Sequence, residues 1–248
     1  VGMSDVTRMG RVADVVRRFG PAYLARHGAA MLPSHRRALR DLAACRTPAL
    51  GGHVTQCDYC GAEHFVYHSC RNRSCPTCHG AATAAWLAAR EAELLPVPYF
   101  HVVFTLPSEL REIVRAHQRV LLAALMATAA EALQALAADP RYVGGTLGIL
   151  AVLHTWTRAL VYHPHVHCLV PGGALAPDGA TWRPARGHFL VPVRALSVGF
   201  RARFLARLRR ACPDVVVPAA VWRKPWVVYC KPTVQGSAPV LRSLPRYV

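Results

Sequence analysis

Two Cys-x2-Cys pairs, Cys57/Cys60 and Cys75/Cys78, stand fourteen residues apart in the segment CDYCGAEHFVYHSCRNRSCPTCHG. Each such turn can aim two thiolates at one ion. Two of them near zinc-ribbon separation predict a closed, tetrahedral structural Zn²⁺ site made of Cys57, Cys60, Cys75 and Cys78. A redox Cys-x2-Cys would need no second copy. Cys70 lies between the pairs and could replace one of the four, or join Cys45 and His53 in a second site. His64, His68 and His79 also stand nearby. For each of these the plain alternative is a buried thiol or a surface imidazole. The chain has nine cysteines, an odd number crowded into one region, with no secretory signal ahead of them. That pattern reads as metal ligation in a reducing cytosol and argues against a disulfide scaffold.

The chain carries 30 Lys+Arg against 13 Asp+Glu, a formal charge of +17. An excess of that sign and size points to nucleic acid as the partner. A GC-rich genome would also enrich arginine, and 28 of the 30 basic residues are Arg. Compositional bias does not explain why residues 201–248 hold ten basic groups against the single Asp214. The basic helix expected over 196–212 places Arg207, Arg209 and Arg210 among the candidate DNA contacts. Arg71 and Arg73, inside the cysteine cluster, are others, with solvated loop arginines as the equal alternative. The apolar run over 120–138 approaches the length of a membrane span, but it is alanine-rich and interrupted by Glu131 and Gln134. It reads as a buried helix, and no membrane partner is expected.

Hydrophobic periodicity predicts helices over 12–19, 34–45 and 81–95, with Pro96 and Pro98 closing an N-terminal domain over 1–96 whose metal cluster spans 45–79. Beyond it, residues 99–107, 147–156, 165–170 and 226–230 read as strands, and 108–138 as one or two helices. Strands and helices in this order predict an α+β fold, with a mainly antiparallel sheet and helices on one face, over 97–248.

VYHPHVHCLV, residues 161–170, sets imidazoles at every second position of an apolar strand. Residues i and i+2 share a face, so His165 and His167 project together while Val166 and Cys168 point into the opposite layer. Two neutral imidazoles can chelate one divalent ion and leave open positions for water or phosphate oxygens, as a Lewis-acid catalyst on a phosphodiester requires. Surface histidines on an edge strand are the alternative. Pro164 is expected to mark the strand's entrance, which leaves His163 as a possible ligand or phosphate contact.

Six segments, CRTPALGGH, SCRNRSCPTC, LLPVPYFHVVFTLP, LHTW, HPHVHCLVPGG and WVVYCKP, run in order through a chain that resembles the rolling-circle transposases of insertion-sequence family ninety-one and the related common-region elements. These are HUH tyrosine transposases with an N-terminal zinc-binding domain. The resemblance implies an HUH-type catalytic domain in which His165 and His167 hold Mg²⁺ or Mn²⁺. A downstream tyrosine would attack single-stranded transposon ends, leaving a 5′-phosphotyrosyl link and a free 3′-hydroxyl. The segment that carries this tyrosine in the family corresponds to VLRSLPRYV, which makes Tyr247 the candidate nucleophile, with Arg242 and Arg246 beside it. Ser243 replaces a first tyrosine, Pro245 interrupts the expected helix, and the chain stops one residue after Tyr247, as a C-terminally truncated copy would.

The leading expectation is a bacterial, cytoplasmic, nucleoid-associated DNA transposase acting on single-stranded ends. The runner-up is a catalytically inactive DNA-binding remnant. A small-molecule metal hydrolase is a third possibility, weakened because only Asp178 and Asp214 follow the histidines as carboxylate candidates; no small-molecule substrate is expected.

Overall fold

The computed structural model describes residues 11–157, 159, 161–233 and 237–244. The chain divides into two compact units, Val1–Trp86 and Leu87–Val248. Tyr247 and Arg246 lie outside the described residues.

In the first unit, α1 (Val12–His27) and α2 (Pro33–Ala44) precede a hairpin of β1 (Gly52–Gln56) and β2 (Glu63–Tyr67), and α3 (Pro76–Ala92), whose last residues belong to the second unit, begins. Pro33 opens α2 at its first position, where a missing N–H costs nothing. α1 runs on past the expected Phe19, through Pro21 to His27. Both hairpin strands are exposed along their whole length. The buried centre of this unit is small: Leu42, Cys45 and Cys75, with Val16, Cys70 and Cys78 against them.

The second unit contains β3 (Tyr99–Thr105), α4 (Arg111–Ala116), α5 (Gln118–Ala137), β4 (Leu150–Trp156), β5 (Tyr162–Pro171), β6 (Gly173–Leu175), β7 (Trp182–Pro184), α6 (Val193–Ala211), α7 (Ala219–Arg223), β8 (Val228–Pro232) and α8 (Ser237–Ser243). The principal sheet has the order β4-β5-β3-β8, antiparallel throughout, and β6 pairs with β7 in a small hairpin. The fold class is α+β.

Strand alternation decides which side of the sheet is dry. Phe100, Val102 and Phe104 of β3, and Val166, Cys168 and Val170 of β5, are buried in one core with Leu121, Leu125, Ala129 and Leu133 of α5 and Phe200, Phe204 and Leu208 of α6. Phe104 meets Phe200 at 4.9 Å between ring centroids, and Trp226 stands edge-on to Phe200 at 5.3 Å. α5 is long and apolar enough, by length and composition, to cross a bilayer, yet it has this row of residues in the core. Its two polar interruptions are anchors. Gln134 bonds both the carbonyl and the N–H of Leu147, at 2.7 and 3.0 Å, and Glu131 pairs with Arg207 of α6.

β5 begins at Tyr162, so Pro164 lies inside the strand and does not mark its entrance. The carbonyl of Pro164 accepts a bond from the N–H of Leu106 at 3.3 Å, one residue past the end of β3, so the N–H that proline lacks faces the point where that ladder stops. α8 packs against β3 and β5. Its carboxyl end meets the side of the sheet away from α5 and α6, where the carbonyl of Leu244 accepts a bond from His154.

Phe104 is fully buried between sheet and helices. Phe104→Ala is expected to lower the unfolding free energy by about 3–5 kcal/mol in denaturant titration, whereas a change at exposed Val216 should stay within about 0.5 kcal/mol.

Candidate functional site

Cys45, Cys70, Cys75 and Cys78 bring their sulfurs within 4.8 Å of one another. Three separations are 3.5 Å (Cys45–Cys78), 3.6 Å (Cys70–Cys78) and 3.6 Å (Cys45–Cys75). Four thiolates about 2.3 Å from a zinc ion would stand about 3.8 Å apart, so this quartet is nearly the size of a closed tetrahedral site.

The local folding that gathers them is explicit. After α2, the N–H of Arg46 bonds the carbonyl of His68 at 3.1 Å, which sets Cys45 beside the base of the hairpin and Cys70. Arg46 and Arg71, each just after a quartet cysteine, take the left-handed conformation at φ 57° and 50°, a reversal that costs a non-glycine residue about 1 kcal/mol. Asn72 ties the loop to α2 through Asp41 at 2.8 Å, and Cys75 and Cys78 flank the start of α3.

Cys57 and Cys60 are elsewhere. They sit exposed at the hairpin turn, where Gly61 N–H bonds the carbonyl of Cys57 at 2.8 Å. Five-residue strands at about 3.3 Å per residue carry that turn roughly 16 Å from the hairpin's base. The quartet expected from spacing is therefore corrected: Cys75 and Cys78 are met by Cys45 and Cys70, and Cys57 and Cys60 are left with each other.

Burial pushes the Cys70 thiol up to about 12. Burial opposes ionisation of Cys78 as well, but sulfur contacts from Cys45 and Cys70 outweigh it and bring Cys78 down to about 7. One thiolate is thus favoured near neutrality, and a bound cation would displace the remaining protons.

The second cluster is on the face of the principal sheet away from α5 and α6, with His154 itself buried. His154 of β4 and His165 and His167 of β5 bring one nitrogen each within 4.8 Å. His165 and His167 were legible from the period of two. His154 was not, because only the cross-strand register, His154 opposite His165, places it there. Val166 and Cys168 are fully buried on the reverse side, as expected.

One nitrogen of each ring is engaged in a bond. His165 Nδ1 lies 2.6 Å from the carbonyl of His163, and His154 Nε2 lies 2.9 Å from that of Leu244. Carbonyls only accept, so these nitrogens carry the protons, and Nε2 of His165 and Nδ1 of His154 are the lone-pair atoms. His167 Nδ1 is 2.8 Å from Nε2 of His101, whose ring stacks on it. With His167 Nδ1–H donating to His101, Nε2 of His167 likewise becomes a lone pair. Three imidazoles so arranged could hold a divalent cation, and with no carboxylate among the described residues joining them they would suit Mn²⁺ better than Mg²⁺.

Desolvation, reinforced by His154, His165 and His101, takes His167 down to about 3. Burial also lowers His101, His154 and His165. His163 stands outside the three-histidine group and accepts a bond from Arg111 at 3.0 Å.

The arginines divide. Arg71, Arg73 and Arg210 are exposed. Arg207 is paired with Glu131, Arg209 lies over the ring of Trp222 at 4.2 Å, and Arg242 bonds Glu91 at 3.2 Å.

Comparison with known families matches residues 15–106 to a transposase zinc-binding domain and residues 148–248 to a domain described as "Putative transposase". The chain belongs to the IS91 family of transposases. Its relatives include "Putative transposase y4qJ" of Sinorhizobium fredii, 41% identical over 95% of this chain and 64% of that protein. Another is the transposase for insertion sequence element IS801 of Pseudomonas savastanoi pv. phaseolicola, 37% identical over 58% of this chain and 35% of that one. The chain thus spans less than two thirds of the length of either relative. No solved structure matches it.

The zinc-binding match covers the whole quartet, and the four sulfurs support a structural Zn²⁺ in this IS91-family chain. Metal analysis of the purified protein should show that Cys45→Ser or Cys75→Ser loses the ion held there and that unit 1 unfolds with it, while Cys57→Ser retains both. A second measurement concerns the histidines. Their depressed values mean that the metal-free fold contributes its full share of stability above about pH 6.5 and loses it as pH falls toward the folded value of His167, about 3. Denaturant unfolding at pH 7 and pH 4 should show a larger loss for the wild type than for His167→Gln.

Proposed function

We propose that this chain cuts and rejoins single-stranded DNA at transposon ends, with Tyr247 as nucleophile and the cluster of His154, His165 and His167 as the seat of a catalytic divalent cation. The observation that carries this reading is the cluster itself: three neutral imidazoles converging on one face of the sheet, each with a nitrogen already bonded. A cation there would polarise the scissile phosphate. The phenolate oxygen of Tyr247 would form the new bond to phosphorus while the bond to the 3′-oxygen breaks. That oxygen takes a proton and becomes a hydroxyl, and the 5′-phosphate stays on tyrosine. The phosphodiester is exchanged and not hydrolysed, so rejoining needs no ATP.

The chain's own residues support this assignment. Leu244 bonds His154 through its carbonyl, and Tyr247 follows three residues later, a span of at most about 11 Å. Arg111, beside His163, has its Nε buried with no hydrogen-bond partner among the described residues, and offers a cation for a phosphate oxygen near the cluster. Exposed Arg71, Arg73 and Arg210, with Arg246 near the nucleophile, would hold the backbone. The bacterial cytoplasm, at the nucleoid, is where such a substrate is found.

The test uses 3′-labelled single strands from the DNA flanking the coding region, incubated with Mn²⁺ and run on a denaturing gel. A protein–DNA adduct is expected for the wild type, and Tyr247→Phe or His165→Ala should abolish it while binding persists. Salt-sensitive binding with no adduct from the wild type would instead favour the inactive DNA-binding remnant.

A further inference from the structure

β8 forms the edge of the principal sheet, and its two sides are unlike. Val228 and Cys230 pack against the core, whereas Tyr229 and Lys231 are exposed on the histidine face. Tyr229 pairs with Val103, which pairs in turn with His167, so the three lie in one row across the sheet. Two strand spacings put Tyr229 about 10 Å from His167 along that row. Lys231 pairs with His101, the residue bonded to His167.

The Tyr229 ring is braced but not covered. His101 meets it at 5.7 Å and 68°, Lys231 Nζ stands 5.7 Å from its centroid, and 42% of the residue is open to solvent. Neighbouring Val227 is 67% exposed. An aromatic ring held in this way adds nothing to the core on the other face. It does offer a flat apolar surface beside an ammonium group, in a chain of net charge +17.

We infer that Tyr229 and Lys231 form a stacking platform for one unpaired base of the DNA strand next to the scissile phosphate, with the ring under the base and Lys231 on a backbone phosphate. This rests on the proposed strand transfer and adds how the substrate is chosen. A base inside a duplex is stacked on both faces and cannot lie on the ring, so the platform favours single strands.

The experiment measures binding of the full chain to single-stranded oligonucleotides carrying 2-aminopurine at successive positions. Quenching at one position is expected for the wild type. Tyr229→Ala should lose that quenching and about 10- to 100-fold in affinity, while Tyr229→Phe keeps both. Lys231→Ala should lower the salt slope by about one. Mn²⁺ affinity should be unchanged in all three, which separates the platform from the cation site. Equal affinity of Tyr229→Ala and wild type, or loss of binding in Tyr229→Phe as large as in Tyr229→Ala, overturns the inference alone. A wild type that binds no oligonucleotide overturns it together with the function on which it rests.

Discussion

β5 has to satisfy two solvents at once. One side, Val166, Cys168 and Val170, is closed against α5 and α6, and the other carries His163, His165 and His167. The packed side immobilises the backbone, and the backbone then presents imidazoles at fixed intervals without help from loops. Much of what surrounds the histidines follows. β4 contributes His154 because it pairs with β5 in one register, and β3 contributes His101 through the same sheet. A slip of one residue on either strand would turn those rings into the core.

The first unit solves a different problem. Its buried apolar set is too small to hold three helices and an exposed hairpin by itself, and four cysteines occupy most of that centre. Cross-linking through a cation substitutes for apolar bulk, which is how small modules reach stability. The two clusters therefore differ in kind: four sulfurs closed on one another in one, three imidazole nitrogens in the other.

What could be read beforehand depended on the range of the signal. The imidazole pair and its apolar reverse side are local, set by a period of two, and were legible. So was the long apolar helix, whose Glu131 and Gln134 looked like interruptions and prove to be its points of attachment to α6 and Leu147. His154 sits in LHTW with no pattern of its own, and only strand pairing discloses it. The cysteines show the same limit. A Cys-x2-Cys turn announces a chelating pair, but which pairs meet is decided by the strands around them, and a hairpin of two five-residue strands carried Cys57 and Cys60 away from Cys75 and Cys78. Pro164 was misplaced because a proline is admissible inside a strand where its missing N–H faces the end of the neighbouring strand, here β3.

The bond from His154 to Leu244 ends on a main-chain oxygen. Every amino acid supplies that atom, so the identity of residue 244 is free to drift with the packing of its side chain while the imidazole keeps its partner. Substitution scanning would score the position as a hydrophobic contact and pass over the link. Displacing the helix as a body would sever it, so the orientation of His154 reports where α8 lies and is indifferent to what α8 is made of.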